Sequence, residues 1–171
     1  GGIVGRIYWE TQTVTLDSCR NAGNITGAKN VGGIVGYNNG TTIIKNCGNS
    51  GTIIGNGVNT DDTYNSYDSN VGGLVGIASA SGSANFYASY NSGTVIAYGN
   101  KAGGIIGTDA DVSNTSRATR VYYCYNTGSI YTGGLTPRRP QDAPNGAQAG
   151  GIVGSMVCMD IRYCYNTGTI T

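Results

Sequence analysis

The chain has 171 residues, of which ten are basic, nine acidic and none histidine, so its net charge is +1. That balance lacks the basic excess that nucleic acid or an anionic lipid surface would attract, and no apolar run approaches the roughly 20 residues of a membrane span, so neither nucleic-acid binding nor membrane insertion is expected. Thirty glycines and thirteen tyrosines, with charged residues at only 11%, favour turns and strands over helices and resemble secreted material in composition.

The first element is the pentad Gly1-Gly2-Ile3-Val4-Gly5, and it returns at residues 32–36, 72–76, 103–107 and 150–154 in the form Gly-Gly-(Ile/Leu)-(Val/Ile)-Gly. A short strand is predicted next, Val14-Thr15-Leu16-Asp17, with counterparts at 42–45, 84–87, 119–122 and 159–162. The column Leu16, Ile44, Phe86, Val121 and Ile161 should face inward. Its neighbours Asp17, Lys45, Tyr87, Tyr122 and Arg162 should face solvent.

A second signature follows each strand, of the form Cys-Tyr-Asn-x-Gly-x-Ile: residues 19–25, 47–53, 89–95, 124–130 and 164–170. Its even spacing puts Cys, Asn, Gly and Ile on one face. Leu16 and Cys19 are both inward yet three apart, so a corner or bulge must lie between them. Cys19, Cys47, Ser89, Cys124 and Cys164 form one column of small buried groups; a position that accepts Ser is not an obligate disulfide, and with no histidine and no C-x-x-C pair a zinc site is not expected. Asn21, Asn49, Asn91, Asn126 and Asn166 form a column without exception, best read as a hydrogen-bonded asparagine ladder from rung to rung. The glycine columns permit positive φ or close backbone approach, and the pentad is a poor phosphate loop because no helix follows it.

A unit copied at this period buries a face only by stacking on its neighbours. Successive pentads lie 31, 40, 31 and 47 residues apart, so about 31 residues make one coil and the surplus is loop insertion. The expected fold is all-β: a right-handed, three-sided parallel beta-solenoid of five rungs, about 4.8 Å apart and about 24 Å long in all. Residues 1–171 then form a single repeat array, expected to be a segment of a longer chain or filament. Neither end shows a leader, anchor or cap, so further repeats of the same polypeptide or identical subunits end to end are the expected partners.

The pentad core, Gly-Ile-Val-Gly at 2–5, 33–36 and 151–154, Gly-Leu-Val-Gly at 73–76 and Gly-Ile-Ile-Gly at 104–107, together with the Cys-Tyr-Asn-x-Gly signature, resembles the GLUG-motif repeats. The resemblance spans the chain apart from its insertions. It implies an extracellular location, on the bacterial cell surface or secreted, and a stalk or adhesive role, since such repeats occur in large adhesin-like exoproteins and in non-catalytic regions of immunoglobulin A metallopeptidases. It transfers no catalytic residue. The departures are Ser89 for Cys, and Arg20 and Gly48 for Tyr.

Without histidine there is no Ser-His-Asp triad and no His-Glu-x-x-His helix. Asp17 and Asp160 share neither column nor neighbourhood, so a paired-carboxylate glycosidase has no platform. Asp61, Asp62 and Asp68 in one insertion, and Asp109 and Asp111 in another, lack EF-hand order and read as solvated loop. The longest insertion, which carries Pro137-Arg138-Arg139-Pro140, should be mobile. No enzyme activity, metal or cofactor is therefore expected. Tyr90, Tyr125 and Tyr165, with Tyr87 and Tyr122 nearby, are the candidate ligand site: an exposed tyrosine column can stack on a host glycan or anchor a protein, or simply pack on itself. The expected function is a stalk, adhesin or filament segment; the alternatives are a substrate-binding accessory region of a secreted protease and a polysaccharide-active beta-helix.

Overall fold

A computed structural model describes residues 1–8, 12–57, 69–78, 83–99, 101–109, 119–133 and 147–171. Asp61, Asp62, Asp68, Asp111 and the Pro137 segment lie outside the described residues. Within them every strand is paired in parallel with its equivalent one coil away, and the described residues contain no helix. The first sheet stacks Val4–Tyr8, Val35–Asn39, Val75–Ala78, Ile106–Asp109 and Val153–Ser155. The second stacks Val14–Asp17, Thr42–Lys45, Ala84–Tyr87, Thr119–Tyr122 and Met159–Arg162. The third holds Arg20–Asn21, Gly48–Asn49, Tyr90–Asn91, Tyr125–Asn126 and Tyr165–Asn166. Four-stranded fourth and fifth sheets run Ile25–Gly27 to Ile130–Thr132 and Asn30–Gly32 to Gln148–Gly150, the fourth extended by a bridge between Ile130 and Ile170. The fold is a parallel beta-solenoid of five rungs.

Each of the first four coils thus contains five short strands, where the sequence suggested three, and the fifth contains three among the described residues. Two bends account for the difference. Asn21 Nδ2 donates to Gly23 O at 2.8 Å while Gly23 N donates back to Asn21 Oδ1 at 3.3 Å, so the asparagine folds the chain around itself and splits the second signature into two strands. The pentad also straddles a corner: its first Gly ends one strand and its Val or Ile begins the next. Ile34 and Val35, adjacent in sequence, are both fully buried because the bend lies beside them.

The corner required between Leu16 and Cys19 is a single residue in the left-handed region. Ser18, Asn46, Ala88, Tyr123 and Tyr163 have φ of 58°, 54°, 45°, 56° and 54°, and none is glycine. What holds them is the next residue: Cys47 Sγ, Ser89 Oγ, Cys124 Sγ and Cys164 Sγ donate to the carbonyl two residues back at 3.2, 2.8, 3.4 and 3.3 Å, and Cys19 does so at 3.6 Å. The position therefore needs a small side chain with one donor, which Cys and Ser both supply. Ser89 also accepts from Cys47 N at 3.1 Å. Ser89→Ala leaves Cys47 N without its acceptor, while Tyr87 O keeps the Asn46 amide, and should cost about 1–3 kcal/mol in urea unfolding, whereas Ser89→Cys keeps a donor and should cost less.

Two apolar clusters fill the coil. One lies between the first and second sheets around Ile34, Leu74, Phe86, Ile105 and Val121; the other lies between the fourth and fifth around Val31, Ile53, Val71, Val95 and Ile130. Asp109, expected in a solvated loop, instead ends a strand and is buried. That strand runs two residues past its pentad, and its register brings Asp109 into the column of Ile7, Asn38 and Ala78.

Candidate functional site

Between the two apolar clusters runs the asparagine column. Asn21 Nδ2 donates to Asn49 Oδ1, Asn49 to Asn91, Asn91 to Asn126 and Asn126 to Asn166, each at 2.7 Å. The second amide hydrogen of every member goes to the carbonyl of the glycine two residues on, at 2.7–2.8 Å. Asn49, Asn91 and Asn126 are fully buried, and both hydrogens of each amide have an acceptor.

The asparagine meets the other signature across the coil. A Cβ on the pentad's second glycine would fall 2.6 Å from Asn49 Cγ at Gly33, 2.6 Å from Asn126 Cβ at Gly104 and 2.5 Å from Asn166 Cβ at Gly151. The pentad and the Cys-Tyr-Asn signature recur together because they are the two sides of one contact. It is this close approach, not a positive φ, that requires glycine there.

Outside, the position after the Cys column reads Arg20, Gly48, Tyr90, Tyr125 and Tyr165. Tyr90 and Tyr125 stack at 5.3 Å and 9°, Tyr125 and Tyr165 at 5.1 Å and 3°. Gly48 lies beneath the Tyr90 ring, where a Cβ would fall 2.5 Å from Tyr90 Cζ, and the Arg20 guanidinium reaches that ring from one rung further away, at 5.4 Å. The two departures from Tyr are therefore coupled: the missing side chain at Gly48 lets Tyr90 meet the cation at Arg20. Both faces of Tyr125 are covered by rings, so it offers a ligand only its edge and hydroxyl.

Tyr87 and Tyr122 stand edge to face at 5.8 Å and 72°. Tyr122 donates its hydroxyl to Asp160 Oδ2 at 2.5 Å, and Arg162 Nε lies 2.8 Å from Asp160 Oδ1. The Asp160 carboxyl is held below the usual range chiefly by Arg162 and then by Tyr122, and that carboxylate in turn pushes the Tyr122 phenol up. Asp17 is likewise lowered, first by the Asn46 amide and then by Lys45 at 3.1 Å. Two tyrosines that the sequence did not single out complete this ridge. Tyr123 and Tyr163, the left-handed corner residues of the fourth and fifth rungs, stack at 4.9 Å and 10° and are 58% and 71% exposed. Their signal was position: they immediately precede the Cys column, at the corner itself.

All five cysteines are thiols. The Cys124 amide donates to Cys164 Sγ at 3.4 Å; the neighbouring Cys124 side chain and then this amide hold Cys164 down to about 7, while the Cys164 side chain and then burial push Cys124 up. Iodoacetamide should accordingly label half-buried Cys164 with a rate that rises through neutral pH and leave Cys124 unmodified in the folded protein, read by peptide mass spectrometry. Equal labelling of the two would contradict this. Among the described residues no three His, Cys, Asp or Glu side chains converge as metal ligands.

A family model, the GLUG motif, matches residues 27–54. That span is close to one coil: it takes in the pentad at Gly32, the strand Thr42–Lys45 and the signature at Cys47. No curated protein and no solved structure matches the chain. The matched coil pairs in register with its neighbours on both sides, Val35 with Val4 and Val75, Ile44 with Leu16 and Phe86, Asn49 with Asn21 and Asn91, and the remaining coils continue the same columns. The chain carries the GLUG motif at residues 27–54, and its other coils repeat the columns of that coil.

Proposed function

We propose that this beta-helical repeat chain is a non-catalytic structural or adhesive segment of a bacterial cell-surface or secreted protein, working outside the cell as part of a stalk, adhesin or filament. The observation that carries the reading is the unbroken asparagine ladder. Four successive 2.7 Å bonds tie all five rungs through their centre, so the residues common to every copy serve rung-to-rung cohesion, as a load-bearing rod requires. A general acid needs a raised carboxyl pKa, and Asp17 and Asp160 are both lowered.

The partners that fit are rungs of the same kind. Ile3, Ile161 and Ile170 on the outermost rungs are exposed beside unpaired strand edges, which a further repeat or an identical subunit would cover. A host glycan or protein is the second partner, and the observation favouring it is the tyrosine ridge, where the outer face of Tyr165 and the rings of Tyr123 and Tyr163 are exposed. On this reading the isolated chain binds on a glycan or host-protein array, or associates end to end in sedimentation, and releases no reducing ends from polysaccharides. Reproducible polysaccharide cleavage by the isolated chain would instead establish the enzyme alternative.

A further inference from the structure

The geometry points to a covalent modification site: Tyr123 and Tyr163 are placed to couple oxidatively into a dityrosine that staples the fourth rung to the fifth. Both residues occupy the same corner position on adjacent rungs, their rings nearly parallel at 10° with centroids 4.9 Å apart. Because the rungs are in register, with Tyr122 opposite Arg162 and Tyr125 opposite Tyr165, the two side chains leave the backbone in the same direction. Equivalent ring carbons, including those ortho to the hydroxyls, therefore face each other. At 58% and 71% exposure the rings are open to an oxidant and free to swing from stacking distance to bonding distance.

The oxidant is a peroxidase with hydrogen peroxide. Each phenol gives up one electron and its hydroxyl proton, leaving two phenoxyl radicals with unpaired density on the ortho carbons. A carbon–carbon bond forms between those carbons, and the hydrogen on each moves to its oxygen as the ring becomes aromatic again. The pair loses two electrons and two protons in total, and these reduce one hydrogen peroxide to two waters.

Neighbouring rings supply an internal comparison. Tyr87 and Tyr122 meet at 72° and 5.8 Å, Tyr98 and Tyr131 at 68° and 6.5 Å, so their ortho carbons do not face each other. The Tyr122 hydroxyl is also tied to Asp160. Tyr125 and Tyr165 are parallel at 5.1 Å, but Tyr125 is sandwiched between two rings and has less room to turn. The site-specific expectation is coupling at Tyr123–Tyr163 ahead of every other pair.

The test uses the intact chain at a dilution where it does not associate, treated with peroxidase and limiting hydrogen peroxide, then reduced with dithiothreitol and digested. Reduction matters because a disulfide also removes two hydrogens, but only the disulfide reverts. The expected result is blue dityrosine fluorescence and a dithiothreitol-resistant cross-link joining the Tyr123 and Tyr163 peptides, lost in Tyr163→Phe and in Tyr123→Phe and scrambled when the chain is oxidised in urea. The urea midpoint of the cross-linked protein should lie above that of the untreated protein. Absence of the cross-link, a cross-link at Tyr87–Tyr122 instead, or the same distribution from folded and urea-unfolded chain would overturn the proposal.

Discussion

Asn91→Ala is expected to destabilise the protein by about 3–6 kcal/mol, enough to unfold a domain of ordinary stability. Asn91 sits in the central rung, fully buried, and three groups lose their partner with it: one hydrogen of Asn49 Nδ2, the carbonyl of Gly93 and Oδ1 of Asn126. Each orphaned buried group costs about 1–3 kcal/mol, partly relieved if water enters. Asn91→Asp separates hydrogen bonding from volume. It keeps the acceptor toward Asn49 but places carboxylate oxygens against Gly93 O and Asn126 Oδ1, which offer no proton. Burial and those two oxygens raise the folded-state pKa of the new carboxyl above its unfolded value near 3.9. Urea unfolding of that variant should show its smallest deficit below the unfolded pKa and a growing deficit as pH rises through the folded one. A pH-independent deficit equal to that of Asn91→Ala would show that only packing is at stake.

Gly104→Ala should cost about 3 kcal/mol or more, measured the same way. The added methyl would meet the carbonyl oxygen of Gly151 and lie 2.6 Å from Asn126 Cβ. Neither obstacle is the free end of a flexible side chain, so relief requires parting two rungs or displacing the ladder. Gly5→Ala is the matched control from another pentad, for its Cβ would meet no atom within 4 Å. There the substitution should be neutral or add up to about 1 kcal/mol, by limiting the unfolded chain.

The stacking of coils was legible because columns survive insertions: Leu16, Ile44, Phe86, Val121 and Ile161 keep their offset from the Cys column across unequal loops. The corner after Asp17 was legible as a parity conflict. Its occupants were not, since nothing in a tyrosine's preferences announces the left-handed conformation that Tyr123 and Tyr163 adopt. The bend at Gly23 was hidden because the even spacing of Cys19, Asn21, Gly23 and Ile25 is also that of an unbroken strand. The contact between the pentad glycine and the asparagine is invisible to local spacing, because it closes across the whole coil. For the tyrosines, sequence gave outward direction but not ring angle, and ring angle decides whether a face is free for a ligand or covered, as at Tyr125.

The central claim is that one continuous asparagine ladder ties all the rungs together, and side-chain amide hydrogen exchange measured by nuclear magnetic resonance tests it most directly. The Nδ2 hydrogens of Asn49, Asn91 and Asn126 should be as protected as the backbone amides of the buried second-sheet strands, exchanging only with global unfolding. Exchange of those hydrogens at the rate of exposed asparagine amides, while the backbone stays protected, would contradict it.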